Sequence, residues 1–221
     1  MDQSKIASFW RAVVDIGNAL RVRLDAPPSA SKANEVFEAV CEIEEMMRSA
    51  VEDIEPLLSA DLDLDSSLDG QLTIVITCND NSAGIEAVQR LVASAPAVLP
   101  CFQVRAFRPP MSKEKLCEPG FLSVDGTDIQ VEQVRFKPLP SHATLGAFDI
   151  VCFVPPSSKA EMDPDKVPGA FAAYMVLTRG IGELRFMTRI TRLKIAVVEP
   201  APDEAVCAWD LLEIIDHAPT Q

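Results

Sequence analysis

The chain has 221 residues, of which 48% are hydrophobic and 24% are charged, so it can bury a sizeable core and is not expected to be disordered. Its formal net charge of −13 argues against a nucleic-acid partner, because phosphate recognition needs clustered lysine and arginine residues. An acidic surface of this kind would instead suit a basic protein partner, although many acidic proteins have no such partner and this simpler explanation is favoured.

The N-terminal region reads as two amphipathic helices. Apolar residues recur at three- and four-residue steps from Ile6 to Leu20, which predicts a helix over residues 3–24. The segment DAPPSAS, residues 25–31, ends this helix because proline cannot continue it. Ser31 is expected to cap a second helix that ends near Pro56. Residues 1–59 are therefore predicted to form a helical hairpin whose apolar faces pack on a sheet.

The strongest pattern in the chain covers residues 71–110. The hydrophobic period changes from 2 to 3.6 and back, which predicts a strand over 71–78, a helix over 82–95 and a strand over 101–107. Before this unit, leucines alternate with aspartates over residues 61–65. The intervening Asp69-Gly70 pair is typical of a hairpin turn, so these two strands are expected to be antiparallel.

The remainder of the chain continues this mixture of strands and helices. Strands are predicted on both sides of a second turn at Asp125-Gly126 and over residues 147–155 and 193–198, with helices over 167–179 and 203–216. The hairpins argue against an all-parallel sheet. We therefore predict one α+β domain over residues 1–221, in which the hairpin packs on a core formed by residues 60–221. The expected core is a mixed, mainly antiparallel sheet of about five to seven strands.

The location of the protein is predicted from what the chain does not contain. It begins MDQSKIASFW, which does not resemble a secretory signal, and no apolar run reaches the roughly 20 residues of a membrane span. The six cysteines form no CxxC pair, and several lie in apolar runs. We expect a cytoplasmic protein with reduced cysteines, no membrane association and no cofactor.

Polar residues gather where the strand at 71–78 gives way to a helix. Asn79, Asp80, Asn81 and Ser82 occupy a position where open α/β sheets bind ligands, although a helix cap explains the same residues and is favoured. Arg108 follows the next strand and offers an anion or peptide contact, or it pairs with an acid at the sheet edge. No glycine-rich phosphate loop accompanies them.

Glu183 is the best polar candidate outside that unit. It follows Gly182 and lies near Arg179 and Arg185. A glutamate that is buried and held by an arginine would serve as a general acid or base, or as an anchoring ion pair. A glycine that ends a helix is the favoured structural explanation.

Metal binding and familiar catalytic constellations are not expected. Alternate oxygen-bearing residues from Asp61 to Asp69 resemble a calcium loop, but the sixth and twelfth positions hold Ser66 and Leu72 instead of glycine and glutamate. His142 and His217 are the only histidines, and neither lies in a recognisable hydrolase or zinc motif. No residue is assigned a catalytic role.

Short motifs distributed along the chain carry a family resemblance. They are Phe9-Trp10, Leu72 to Thr77, Leu91-Val92, Ala95-Pro96, Leu99-Pro100, Ala106-Phe107-Arg108-Pro109 and Ile181-Gly182-Glu183. In their order and spacing the chain resembles a bacterial domain family of unknown function. Cys78 stands where that pattern has a small residue, and Cys101-Phe102 stands where it has Gly-Trp. The resemblance implies no activity, ligand or catalytic residue.

Three functional hypotheses follow. The first is a non-enzymatic protein-binding or regulatory module with a basic protein partner. The alternative is a small-molecule-binding protein or enzyme whose polar cleft lies near Asp80, Arg108 and Glu183. A homodimer with Phe9 and Trp10 at its interface is also compatible with the pattern, although burial of these two aromatic residues in the chain's own core is favoured.

Overall fold

The computed structural model describes residues 1–25, 32–63, 71–120, 122–124, 127–158 and 169–219, and over these ranges the fold is α+β as predicted. The helices are α1 (Gln3–Asp25), α2 (Lys32–Ile54), α3 (Ile85–Ala93), α4 (Lys113–Leu116), α5 (Ala170–Ile181), α6 (Glu183–Arg189) and α7 (Ala208–His217). The strands are β1 (Ser59–Asp63), β2 (Leu72–Thr77), β3 (Phe102–Ala106), β4 (Ser123–Val124), β5 (Thr127–Asp128), β6 (Arg135–Pro140), β7 (Phe148–Val154) and β8 (Ile190–Val197). None of the described helices is long and apolar enough to cross a membrane.

The chain divides into two compact units, residues 1–108 and 109–221. In the first unit the strand order is β1-β2-β3. β1 pairs antiparallel with β2, as expected for two strands joined by the predicted hairpin turn, and β3 pairs parallel with β2 after the crossover through α3. β2 reads LTIVIT and is buried from Thr73 onwards, as expected for the central strand of a sheet.

The helical hairpin belongs to the first unit. Phe9 and Trp10 are 4% and 3% exposed, so both lie in the core, and the indole Nε1 of Trp10 donates a hydrogen bond of 3.0 Å to Ser94 Oγ. Gly17 lets α1 approach the turn before β3, since a Cβ atom at this position would lie 2.1 Å from the carbonyl oxygen of Pro100. The N-terminal helix thus packs closely against the end of the β2-α3-β3 unit.

In the second unit the strand order is β6-β7-β8, and β4 and β5 form a separate two-stranded hairpin. β7 is antiparallel to β6 and parallel to β8, with α5 and α6 in the connection from β7 to β8. Along β7 the residues are alternately buried and partly buried, so only one face of this sheet lies fully in the core. That inner face packs against apolar residues of α5 and α7.

The prediction of a single, mainly antiparallel sheet of five to seven strands is wrong. Six of the eight described strands form two separate three-stranded sheets, and each of these sheets combines one antiparallel pair with one parallel pair. The two sheets also have the same topology. In each, the first two strands pair antiparallel, and a helical connection then leads to a third strand that pairs parallel with the second. Alternation along a segment reveals a strand, but not the strand with which it pairs. Ser31 and the Asp69-Gly70 and Asp125-Gly126 turns lie outside the described residues.

Candidate functional site

The polar turn after β2 is built from residues with left-handed backbone conformations. Asn79 and Asp80 have φ values of 50° and 60°, and asparagine and aspartate tolerate this region better than most residues. The backbone N–H of Asn79 donates to Thr77 Oγ1 over 3.1 Å. Asn81 Oδ1 accepts a hydrogen bond of 3.1 Å from the N–H of Ala83 and caps the short turn that leads into α3.

Arg108 contacts one residue from each of two polar segments noted in the sequence, the aspartate-rich segment from Asp61 to Asp69 and the turn from Asn79 to Ser82. Its Nε donates to Asp61 Oδ2 over 2.7 Å, and its Nη2 donates to Asn79 Oδ1 over 2.9 Å. The side chains of Arg108 and Asp61 are 22% and 29% exposed, so the ion pair is partly shielded from water. We call these three residues the Arg108 clamp. Sequence reasoning selected Arg108 and Asn79 as site residues but did not identify Asp61 as their partner.

The clamp depends on an unusual turn after β3. Phe107 is 5% exposed and has a φ of 64°, which is rare for a bulky residue, and its N–H donates to the carbonyl of Ile76 over 2.8 Å. Asn79 and Arg108 each lie two residues beyond the carboxyl ends of the parallel strands β2 and β3. Arg108 reaches past the end of β2 to Asp61 on β1, so the clamp joins all three strands.

Glu183 lies in the second unit, where it is 1% exposed. It is the first residue of α6 and follows Gly182, whose φ of 83° favours glycine. A carboxylate in the first turn of a helix is stabilised by the helix dipole. Arg185 forms its ion pair with Asp216, at 2.7 Å, and every fully buried polar side-chain atom in the described residues has a hydrogen-bond partner. Glu183 is therefore a satisfied buried carboxylate.

The predicted site residues belong to different units. Asn79, Asp80, Asn81 and Arg108 lie in the first and Glu183 in the second, so the cleft that they were predicted to share stays a prediction. Two clefts of about 410 Å³ occur elsewhere: one along α1 beside Trp10 and Ser94, and one beside Arg135 and Glu199. None of the five predicted site residues lines either of them. The described residues contain no group of three or more His, Cys, Asp or Glu side chains suited to a metal ion.

A basic surface lies on the second sheet, on the side opposite α5 and α7. Side chains alternate between faces along a strand, so the strand registers place three cross-strand rows on this side. The rows are Arg135–Phe153–Ala196, Lys137–Val151–Lys194 and Leu139–Asp149–Arg192. We call these nine residues the outer face. It carries four basic side chains and one acidic side chain in a protein whose net charge is −13.

The basic residues of the outer face differ in their partners. Arg135 donates to Cys207 Sγ, and Lys137 forms an ion pair with Glu204 at 2.5 Å. Arg192 and Lys194 are exposed, and neither side chain makes a hydrogen bond or an ion pair within the part of the chain that the structure describes. Asp149, opposite Arg192, accepts a hydrogen bond from Thr191 Oγ1 at 2.5 Å. Two positive charges on β8 therefore remain available.

Sequence reasoning missed the outer face, although a signal for it exists. Arginine, lysine and leucine alternate with apolar residues in RFKPLP, residues 135–140, and basic residues alternate with apolar ones in RLKIA, residues 192–196. Period-2 alternation shows that each set shares one face of its strand. Only the pairing of β6 and β8 with β7 brings the two sets together.

Comparison with known protein families, with curated proteins and with solved structures finds no match to this chain. The family resemblance therefore stays a prediction.

Proposed function

We propose that this protein is a non-enzymatic protein-binding module and that the outer face of the second sheet is its binding surface. The observation that carries this proposal is the concentration of four basic side chains on three neighbouring strands of a strongly acidic chain. Two of the four have no described partner. Unpaired, exposed charges of one sign steer association with a surface of the opposite sign.

The state of the other candidate residues supports a binding role over a catalytic one. Asn81 is used as a cap, Arg108 is engaged by Asp61 and Asn79, and Glu183 is buried with its hydrogen bonds satisfied. A general acid or base has to reach its substrate, and a nucleophile needs a neighbouring base. These residues are arranged to stabilise turns and strand ends.

The composition of the outer face favours a protein over a nucleic acid. Phe153, Val151 and Leu139 lie among the basic residues, and apolar and aromatic groups beside arginine are typical of protein interfaces. A polyanion would also be repelled by the remainder of a chain with a charge of −13. The net charge predicted a basic partner, whereas the local charge of this face supports an acidic one.

A charge-reversal experiment tests the proposal. The double variant Arg192→Glu/Lys194→Glu changes the outer face, and Arg11→Glu/Arg21→Glu makes the same change of charge at exposed positions on α1. We expect a stoichiometric protein partner to be retained from a host extract by the wild type and by the α1 variant, and to be lost by the outer-face variant. A partner that all three proteins retain equally would contradict the proposal.

A second candidate function is small-molecule binding beside the Arg108 clamp, with Asp80 and Arg108 as ligand contacts. Left-handed residues at Asn79, Asp80 and Phe107 cluster at the carboxyl ends of two parallel strands. Such ends are common ligand sites in α/β sheets, and unusual backbone conformations concentrate at functional sites.

Thermal-shift measurements with small carboxylates and phosphates test this candidate. A ligand that binds the folded state raises the melting temperature. We expect the shift to be lost in Arg108→Lys, which cannot make the same bidentate contacts. A shift that persists in Arg108→Lys would contradict a binding site beside the clamp.

A further inference from the structure

We propose that the partner of the outer face is an extended acidic segment that adds as a strand to the free edge of β8. This inference rests on the proposed protein-binding function and specifies the chemistry and the conformation of the partner. Three features of β8 support it: its open edge, the direction of its backbone groups and its unpaired charges.

β8 is the open edge of the second sheet. It is eight residues long and pairs with β7 on one side, and no strand among the described residues pairs with its other side. The opposite edge of the sheet is partly covered, because Phe136 of β6 and Val206 exchange two backbone hydrogen bonds of 2.8 Å. Exposed edge strands can pair with another extended chain.

The direction of the free backbone groups follows from one hydrogen bond. The N–H of Val198, which follows β8 directly, donates to the carbonyl of Val154 over 3.0 Å. Backbone groups of alternate residues point to alternate sides of a strand, and the pairing with β7 is regular from Arg192 to Val197. The N–H and C=O groups of Leu193, Ile195 and Val197 therefore point to the open edge.

The side chains beside this edge define the partner's chemistry. Arg192 and Lys194 project from the outer face, whereas Leu193 and Ile195 lie partly buried on the inner face. A strand added beside β8 would place its alternate side chains next to each of these pairs. Acidic residues at every second position would meet the two basic side chains, and the apolar residues between them would cover Leu193 and Ile195.

A second copy of this chain fits the edge less well. Pairing of β8 with its own copy would bring the Arg192 and Lys194 side chains of the two copies onto one small sheet region, where like charges repel. Charged residues on an edge strand can also serve only to prevent such self-pairing. This protective role is the main competing explanation, and the experiment has to separate it from binding.

The experiment measures binding of a fluorescent peptide of eight alternating glutamate and valine residues to the full-length protein by anisotropy. The wild type is expected to bind, and Arg192→Glu/Lys194→Glu to bind at least about tenfold more weakly, because attractive contacts become repulsive. A peptide with lysine in place of glutamate is expected not to bind. A peptide with N-methyl groups on alternate amides is expected to bind more weakly, because it cannot donate all of its hydrogen bonds to the edge.

A matched pair of variants tests the edge itself. Val197 is 41% exposed and directs its N–H to the open side, so Val197→Pro removes one outward donor while keeping the ladder to β7. Val197→Ala removes the side chain and keeps the donor. We expect the proline variant to weaken peptide binding about fivefold and the alanine variant to change it less than about twofold. Circular dichroism and thermal melting establish that both variants fold.

The possible failures have distinct meanings. Strand addition would be overturned if the wild type bound the N-methylated peptide as tightly as the unmodified peptide, and if Val197→Pro bound the unmodified peptide as tightly as the wild type does. The proposed function would still stand if retention of the partner from the extract depended on Arg192 and Lys194. Absence of peptide binding, together with aggregation of Arg192→Ser/Lys194→Ser, would assign the charges to protection of the edge. Duplex DNA that binds the outer face as tightly as the peptide would overturn the choice of a protein partner.

Discussion

At the scale of single residues, Arg108 joins three strands through two side-chain contacts. Replacing it with methionine keeps much of its apolar stem and removes both hydrogen bonds, leaving the partly buried carboxylate of Asp61 without this cation. We expect Arg108→Met to lower the free energy of unfolding by about 1–3 kcal/mol, as measured by urea denaturation. Arg90→Met is the control, because Arg90 and Glu86 are exposed and 3.8 Å apart, and it should change stability by less than about 0.5 kcal/mol. Equal losses of unfolding free energy in the two variants would show that the Arg108 clamp contributes no more to stability than an exposed ion pair does.

Cys101 has a left-handed backbone conformation that favours glycine. The family pattern that the chain resembles has glycine at this position, and the sequence predicted a strand that begins here. Cys101 instead precedes β3 in a turn with a φ of 59°, where glycine avoids the steric cost of a Cβ atom. We expect Cys101→Gly to raise the free energy of unfolding by up to about 1 kcal/mol. This value is the relief of steric strain in the folded protein minus the cost of the greater entropy of glycine in the unfolded chain. Cys41→Gly, at an exposed position inside α2, should instead lower it, and a loss in both variants would contradict this account.

At the scale of elements, the sequence predicted local structure better than pairing. The change of period over residues 71–110 predicted β2, α3 and β3, and proline residues correctly marked the ends of α1, α2 and α3. The sequence pattern did not predict α6, because the segment ELRFMTR is short and continues directly into the alternating apolar residues of β8. Likewise, Asn81 was recognisable as a cap, whereas the partnership of Arg108 with Asp61 depends on residues that are 47 positions apart. Long-range pairing also creates the outer face.

The middle strand of the second sheet contains a thiol whose burial makes stability depend on pH. Cys152 is 0% exposed between Phe136 and Ile195, and burial raises its pKa well above the usual range. Above about pH 8.5 an unfolded thiol loses its proton while the folded one keeps it, so folding stability must fall as pH rises, by about 1.4 kcal/mol per pH unit from this group. Cys152→Val should therefore show a shallower decline than the wild type between about pH 8.5 and pH 10 in denaturant titrations. Parallel curves would show that Cys152 ionises equally in both states.

At the scale of the whole molecule, net charge and local charge point to opposite partners. The value of −13 comes from composition alone and predicted a basic partner. The outer face exists only because two basic alternating segments, more than 50 positions apart in the chain, pair with the same strand, β7. Net charge therefore predicts the class of partner only when charge is distributed evenly over the folded surface.

The division of the chain into two units leads to a prediction about independent folding. Each unit has its own three-stranded sheet and its own buried residues, so fragments 1–108 and 109–221 are each expected to unfold cooperatively in urea, with sheet and helix signals in circular dichroism. The control is a cut at residue 59, the boundary predicted from the sequence. Fragment 60–221 lacks Trp10, which bonds to Ser94, and the α1 surface at Gly17 that packs on Pro100. It should therefore lose cooperative unfolding of its β1–β3 sheet, because that sheet's apolar cover is removed. Cooperative folding of 60–221, with loss of folding in 1–108, would place the boundary at the end of the helical hairpin instead.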